Sequence, residues 1–272
     1  MKRTIRLLFL LLFIMLPGCG DTPAVSTGGR TVSLNGSTSV ERVILTLAER
    51  YMLDHPDIKI AYDPTGTGAG LEALQNGICD IALASRALAP QEEAAGLHAA
   101  AAALDGIAVV VNNANPVQNL SVEELAKLYT GTFTDWSQVH GEPGPVACIG
   151  RESGSGTRDG FEAATGTEEA CILAQELTAT GAVMEAVRHN VQAVGYASLA
   201  SVEGRKGIRI LTIDQVACSE ETVLDGSYAL QRPFLFVTKD ALSNDAKAFF
   251  DWALSPAAAE YIRQAGAIPT AQ

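Results

Sequence analysis

The stretch LDGIAVVVNNANPV, residues 104–117, decides how the chain is divided. Its centre, Gly106–Val111, is a continuous apolar and largely β-branched run, which reads as a buried strand. Asn112–Val117 then interrupts it with Asn and Pro, residues that favour turns over strands. Upstream, short apolar strands alternate with helical patterns. Thr31–Asn35 and Ile58–Tyr62 read as strands, and Asp80–Ala84 as a third. Between the first two, Thr38–His55 places Val40, Val43, Ile44, Leu47, Tyr51 and Met52 on one helical face. A short helix follows Gly66–Gly70 and reaches Asn76.

Beyond Val117 a second set of elements begins. Ser121–Glu124 is a capping-box helix start running to Leu128, and Val146–Ile149 reads as a strand. Gly181–His189 reads as a helix, Val194–Ala197 and Ile208–Leu211 as further strands. The chain returns near Cys218 to Pro233–Val237, again a buried strand, and two helices, Asn244–Leu254 and Pro256–Ala265, split at Ser255-Pro256. The Ala run at 99–103 is the one compositionally simple tract. Alternating strands and helices predict an α/β fold. Two units joined by two crossings predict two lobes, each a mixed sheet flanked by helices: 30–111 with 216–272, and 112–215. Such a design places a ligand in the cleft between lobes.

Composition narrows the ligand. Apolar residues make up 47% and charged residues 18%, as in a globular protein, with a formal net charge of -12. That balance argues against nucleic acid, whose phosphate backbone calls for a broad basic surface. It leaves room for a small anion, because local donors rather than net charge make such a site.

Four polar clusters sit at predicted strand ends. Ser37-Thr38-Ser39 opens the first helix, where Thr38 with Glu41 also fits a plain capping box. Thr65-Gly66-Thr67-Gly68-Ala69-Gly70 is a glycine-rich turn that matches neither the dinucleotide nor the Walker A spacing. Ser85-Arg86 ends the third strand. The fourth, RESGSGTRDGFE at 151–162, puts Arg151 just past a strand and Ser155, Gly156 and Thr157 at a helix start. Each has an ordinary structural explanation. Together they describe hydroxyls and free N–H groups facing a small oxyanion, with a guanidinium suited to bidentate contact.

The N-terminus reads as an export signal. Lys2, Arg3 and Arg6 precede an apolar run from Leu7 to Leu16, too short for a membrane span of roughly 20 residues. Leu16-Pro17-Gly18-Cys19 resembles a bacterial lipobox, so residues 1–18 are expected to be a signal peptide and Cys19 the lipidated residue. Residues 19–29 would then form a flexible tether. Cys79, Cys148, Cys171 and Cys218 lack zinc-site spacing, and their pairing is not fixed by sequence.

The segments LNGSTSV, DPTGTGAGLEAL, CDIALASRAL, LDGIAVVVN and RESGSGTRDGFE resemble the PstS-type phosphate-binding subunits of bacterial phosphate ABC importers, across about Thr31 to Ala267. The resemblance implies a type II periplasmic-binding-protein fold, no enzymatic activity, no cofactor and no metal. It implies a monomer that takes inorganic phosphate and delivers it to ABC permease subunits at the membrane. By position, Thr38 and the Ser39 N–H would hold phosphate from one lobe with Thr67, and Arg151, Ser155, the Gly156 N–H and Thr157 from the other.

One departure from the family stands out. Some relatives carry an Asp at the end of the third strand, accepting the proton of hydrogen phosphate, where this chain reads Ser85-Arg86. Asp105 is the expected substitute acceptor, with Arg86 pairing with it or contacting the anion. The missing Asp also keeps sulfate, molybdate or tungstate in view as ligands, beside a phosphate-sensing or adhesive relative without transport. A serine hydrolase built on Ser155 would need a base, and none of His55, His98, His140 and His189 sits in a recognisable motif.

Overall fold

The computed structural model describes residues 30–270. The expected signal peptide, Cys19 and the tether lie outside the described residues. Along the chain run β1 (Arg30–Gly36), α1 (Glu41–Asp54), β2 (Ile58–Asp63), α2 (Thr67–Gln75), β3 (Ile81–Ala84), α3 (Pro90–Ala94) and β4 (His98–Asn112). Next come β5 (Asn119–Leu120), α4 (Val122–Tyr129), β6 (Ala147–Arg151), α5 (Gly156–Thr165), β7 (Gln175–Leu177) and α6 (Thr180–Arg188). They are followed by β8 (Ala193–Ser198), α7 (Leu199–Val202), β9 (Ile208–Ile210), β10 (Thr212–Ile213) and α8 (Glu220–Leu224). The chain closes with β11 (Gln231–Thr238), α9 (Asn244–Ala253), α10 (Pro256–Gln264) and β12 (Ile268–Pro269).

The main sheet has the order β2-β1-β3-β11-β4-β8-β6-β7. Pairing is parallel among β1, β2 and β3, and among β6, β7 and β8; β11 and β4 join these groups through antiparallel pairs. The fold is therefore the expected mixed α/β type II arrangement. Strand β4 carries the division. Its first half pairs with β11 and β12, its second half with β8 and β9.

The buried strand expected at Gly106–Val111 begins much earlier, and the Ala run at 99–103 lies inside it. Side-chain size explains why alanines are useful there. Across the β11–β4 ladder, Ala103 faces Phe234 and Ala100 faces Phe236, so small residues oppose large ones.

Two large apolar clusters flank the junction. One gathers Val32, Leu34, Ile44, Leu47, Phe236 and Phe249, where α1, α9 and α10 cover the sheet. The other gathers Ile107–Val111, Leu125, Trp136, Phe161, Val183 and Tyr196. Cys218, Val223, Tyr228 and Leu230 also pack into this second cluster, although the sequence boundary assigns residues from 216 onward to the first lobe. The four cysteines among the described residues are free thiols, and burial raises the thiol of Cys148 to about 12.

At the junction, Asp105 of β4 is directly opposite Arg232 of β11. Asp105 Oδ2 accepts from Arg232 Nη2 at 3.1 Å and Nε at 3.3 Å, while Oδ1 accepts from Ser198 Oγ at 2.8 Å and the Ala200 N–H at 3.3 Å. Both charged residues are buried. Burial pushes the Asp105 carboxyl up and the Arg232 guanidinium down, each against the pull of its partner.

Breaking such a pair costs more than never having made it, because one charge stays buried and uncompensated. Arg232→Met is expected to lower unfolding stability by about 3–5 kcal/mol in urea denaturation, with Asp105→Leu added to it restoring part of the loss. A single-variant loss below ~1 kcal/mol would mean that the pair does not brace the junction.

Candidate functional site

Loops at the ends of parallel strands bring the polar clusters together. The end of β1 delivers Ser37, Thr38 and Ser39; the loop after β2 delivers Thr67 at the start of α2; Ser85 directly follows the end of β3. From the other lobe, β6 ends at Arg151, and its loop delivers Ser155, Gly156 and Thr157 into α5. The loop after β7 delivers Thr180 at the start of α6. Carboxyl ends of strands are the usual ligand-binding edge of open α/β sheets, where helix N-termini supply free N–H groups.

All nine polar side chains are buried. Within the first lobe, Ser37 Oγ donates to Ser85 Oγ at 2.8 Å, and Thr67 Oγ1 lies 3.3 Å from Ser85 Oγ. Between lobes, Ser39 Oγ is 2.6 Å from Thr157 Oγ1 and Thr38 Oγ1 is 3.2 Å from Thr180 Oγ1. The backbone also crosses, with the Gly68 N–H donating to the Gly154 carbonyl at 2.9 Å. Hydroxyls that water would otherwise satisfy are thus held against one another across the cleft.

Several of these oxygens accept from donors that cannot reverse. The Ser39 N–H donates to Ser37 Oγ, the Ser85 N–H to Thr67 Oγ1, the Thr180 N–H to Thr38 Oγ1 and the Arg158 N–H to Ser155 Oγ, at 3.3–3.4 Å. Each hydroxyl therefore keeps its own proton to donate, and that of Ser37 goes to Ser85 Oγ. Arg151 supplies the positive charge. Glu152 takes its Nε at 2.9 Å and Nη2 at 2.7 Å, the Leu177 and Thr178 carbonyls accept from the same two nitrogens, and Nη1 donates to Thr180 Oγ1 at 3.0 Å.

Thr38 does not act as the expected helix cap. The cap of α1 is Val40 without a side-chain bond, and the Thr38 hydroxyl faces Thr180 instead. Ser155 does cap α5, its Oγ accepting the Arg158 N–H.

Two expected residues are placed elsewhere. Asp105 is held by Arg232, Ser198 and Ala200 at the lobe junction. The expected Arg86–Asp105 pairing is corrected: Arg86 Nε bonds Asp159 at 2.7 Å, while its terminal nitrogens grip Glu92 at 2.7 and 2.8 Å. The bond from Arg86 holds the Glu92 carboxyl below its ordinary range. Arg158 ties α5 to its surroundings through Glu162, Glu176 and the Arg151 carbonyl. All four histidines are exposed, whereas Ser155 is buried, which leaves that serine without an imidazole base.

Thr180 is the site residue that sequence reasoning missed. It lies in an unremarkable T-A-T-G stretch, and only its neighbourhood to Arg151 marks it. Glycine at 156 is a requirement of close approach: a Cβ there would meet Ser85 Oγ and Thr67 Oγ1 at 2.6 Å. Gly156→Ala is expected to hold the lobes apart while keeping the fold. Small-angle X-ray scattering should show a larger radius of gyration with an unchanged far-ultraviolet circular dichroism spectrum. An unchanged radius would mean that the clash is absorbed locally.

Residues 21–257 match the family model described as PBP superfamily domain. The structure is similar to that of a putative phosphate ABC transporter substrate-binding protein with bound phosphate from Clostridium perfringens. That match has 34% identity and a TM-score of 0.85, covering 89% of this chain and 100% of the other. An ABC-type phosphate transport receptor from Vibrio cholerae is also 34% identical, with a TM-score of 0.72 and coverage of 87% and 99%. The phosphate-binding protein PstS of Borreliella burgdorferi is 26% identical over 98% of both chains.

Proposed function

This chain belongs to the PBP superfamily domain family, and we propose that it captures inorganic phosphate outside the cytoplasmic membrane and delivers it to an ABC permease as a PstS-type subunit. The observation that carries the reading is the buried set of hydroxyl and N–H donors around Arg151, assembled from both lobes. Its ligand residues would be Ser37, Thr38, Ser39, Thr67, Ser85, Arg151, Ser155, Gly156 and Thr157.

Binding follows from replacement of water. A tetrahedral oxyanion entering the open cleft exchanges its hydration shell for hydroxyl protons, the N–H groups that begin α2 and α5, and Arg151. Lobe closure then removes bulk water, which strengthens each of these hydrogen bonds. The second lone pair of a hydroxyl oxygen can accept the proton of hydrogen phosphate, so the cluster holds donor and acceptor capacity together. The work is binding rather than bond-making, and release belongs to the permease, which would draw the lobes apart.

The finer features fit the same role. The protein would act as a monomer, anchored through a lipid on Cys19 after loss of residues 1–18. Cys19→Ala is expected to move the protein from the membrane fraction to the soluble extracytoplasmic fraction, and continued membrane association would contradict the anchor.

The decisive measurement is titration calorimetry on protein unfolded and refolded to remove carried ligand. Phosphate and arsenate are expected to bind and to compete, with sulfate and molybdate displacing neither. Displacement by sulfate would reassign the ligand. Arg151→Ala is expected to weaken phosphate binding by at least about tenfold, the loss of one charge-assisted hydrogen bond.

A further inference from the structure

Thr180 is buried, belongs to none of the motifs that carry the family resemblance, and touches both halves of the site. Its Oγ1 lies 3.0 Å from Arg151 Nη1, 3.2 Å from Thr38 Oγ1 and 3.3 Å from Ser39 Oγ. Its own N–H donates to Thr38 Oγ1 at 3.4 Å.

The direction of these bonds is fixed by chemistry. A guanidinium has donors only, so in the Arg151 contact the threonine oxygen accepts. The single Thr180 hydroxyl proton must then point away from Arg151, toward the first-lobe hydroxyls. Thr38 Oγ1 in turn accepts the Thr180 N–H, which leaves its proton directed inward as well.

Position adds to polarity. The segment from Leu177 to Thr180 wraps Arg151: the carbonyls of Leu177 and Thr178 take Nε and Nη2, and Glu152 occupies the same edge of the fork. Only Nη1 is turned toward the cluster, and Thr180 sets its direction. An oxyanion contacting Thr38, Ser39 and Arg151 together must come within reach of an atom that already lies 3.0–3.3 Å from all three. Thr180 also begins the nine-residue helix α6, whose N–H dipoles favour an anion.

We propose that Thr180 is a further phosphate-contacting and positioning residue, donating its hydroxyl proton to the bound anion while aiming Arg151 Nη1. This rests on the reading of the cluster as a phosphate site. It gives the second lobe a ligand segment separate from the Arg151–Thr157 loop.

The test uses calorimetry with inorganic phosphate on refolded wild type, Thr180→Val and Thr180→Ser. Valine keeps the shape and removes the hydroxyl; serine keeps the hydroxyl and removes a methyl. Thr180→Val is expected to bind phosphate about tenfold more weakly, or worse, and Thr180→Ser to stay within about threefold of wild type. Thermal unfolding of all three without phosphate, with matching midpoints, separates lost contact from lost fold. Wild-type affinity in Thr180→Val overturns the role of Thr180 alone, as does a serine variant as weak as the valine one. Failure of the wild type to bind phosphate overturns the phosphate reading, and this role with it.

Discussion

The two lobes meet through a buried ion pair placed on the two strands that join them. Asp105 and Arg232 face each other in the β4–β11 ladder, close to where β4 changes partners from β11 to β8. Burial of opposite charges is expensive, and here it pushes the Asp105 carboxyl up and the Arg232 guanidinium down. Ser198 and the Ala200 N–H complete the carboxylate, and the Arg232 guanidinium lies 5.5 Å from the centre of the Phe234 ring. The pair lies in register across the β4–β11 ladder, and the strands that carry the site extend outward from these two on either side.

Given that frame, the site needs little charge of its own. Nine buried polar side chains converge, and one of them, Arg151, carries a formal charge that Glu152 shares. The remaining attraction for an anion comes from hydroxyl protons and helix N-termini. Such donors cost no extra buried charge when the cleft is open. This reconciles a chain of net charge -12 with an anion site: the acidic surface and the local donors act on different length scales.

Much of this was legible in the sequence because period and punctuation reported it. The apolar runs, the Asn-rich break after Val111 and the glycine turns marked most strand ends, and the strand ends are where the donors sit. What escaped was set by tertiary contact. Thr38 and Glu41 satisfy the spacing of a capping box, but the hydroxyl finds Thr180 across the cleft, and sequence spacing cannot see a partner 142 positions away. Asp105 is the substitute that the missing Asp at Ser85-Arg86 calls for, chosen for its place just before the buried strand. Its partner, Arg232, is 127 positions distant, and the ladder that pairs them is invisible without the fold. The Ala run at 99–103 looked like low complexity for a related reason, since its value lies in the phenylalanines it opposes.

The partition of Arg151 bears on how a tight site can still let go. A guanidinium fully devoted to the anion would hold it by two parallel charge-assisted bonds. Here Glu152 and two carbonyls occupy Nε and Nη2, leaving one nitrogen for the cluster. The arginine is thereby locked within its own lobe, whereas the hydroxyls of the cluster are supplied by both lobes. Separating the lobes then divides the donor set at once, while Arg151 loses none of its own fixed partners. In the proposed phosphate site, affinity would depend on closure as well as on the single charge.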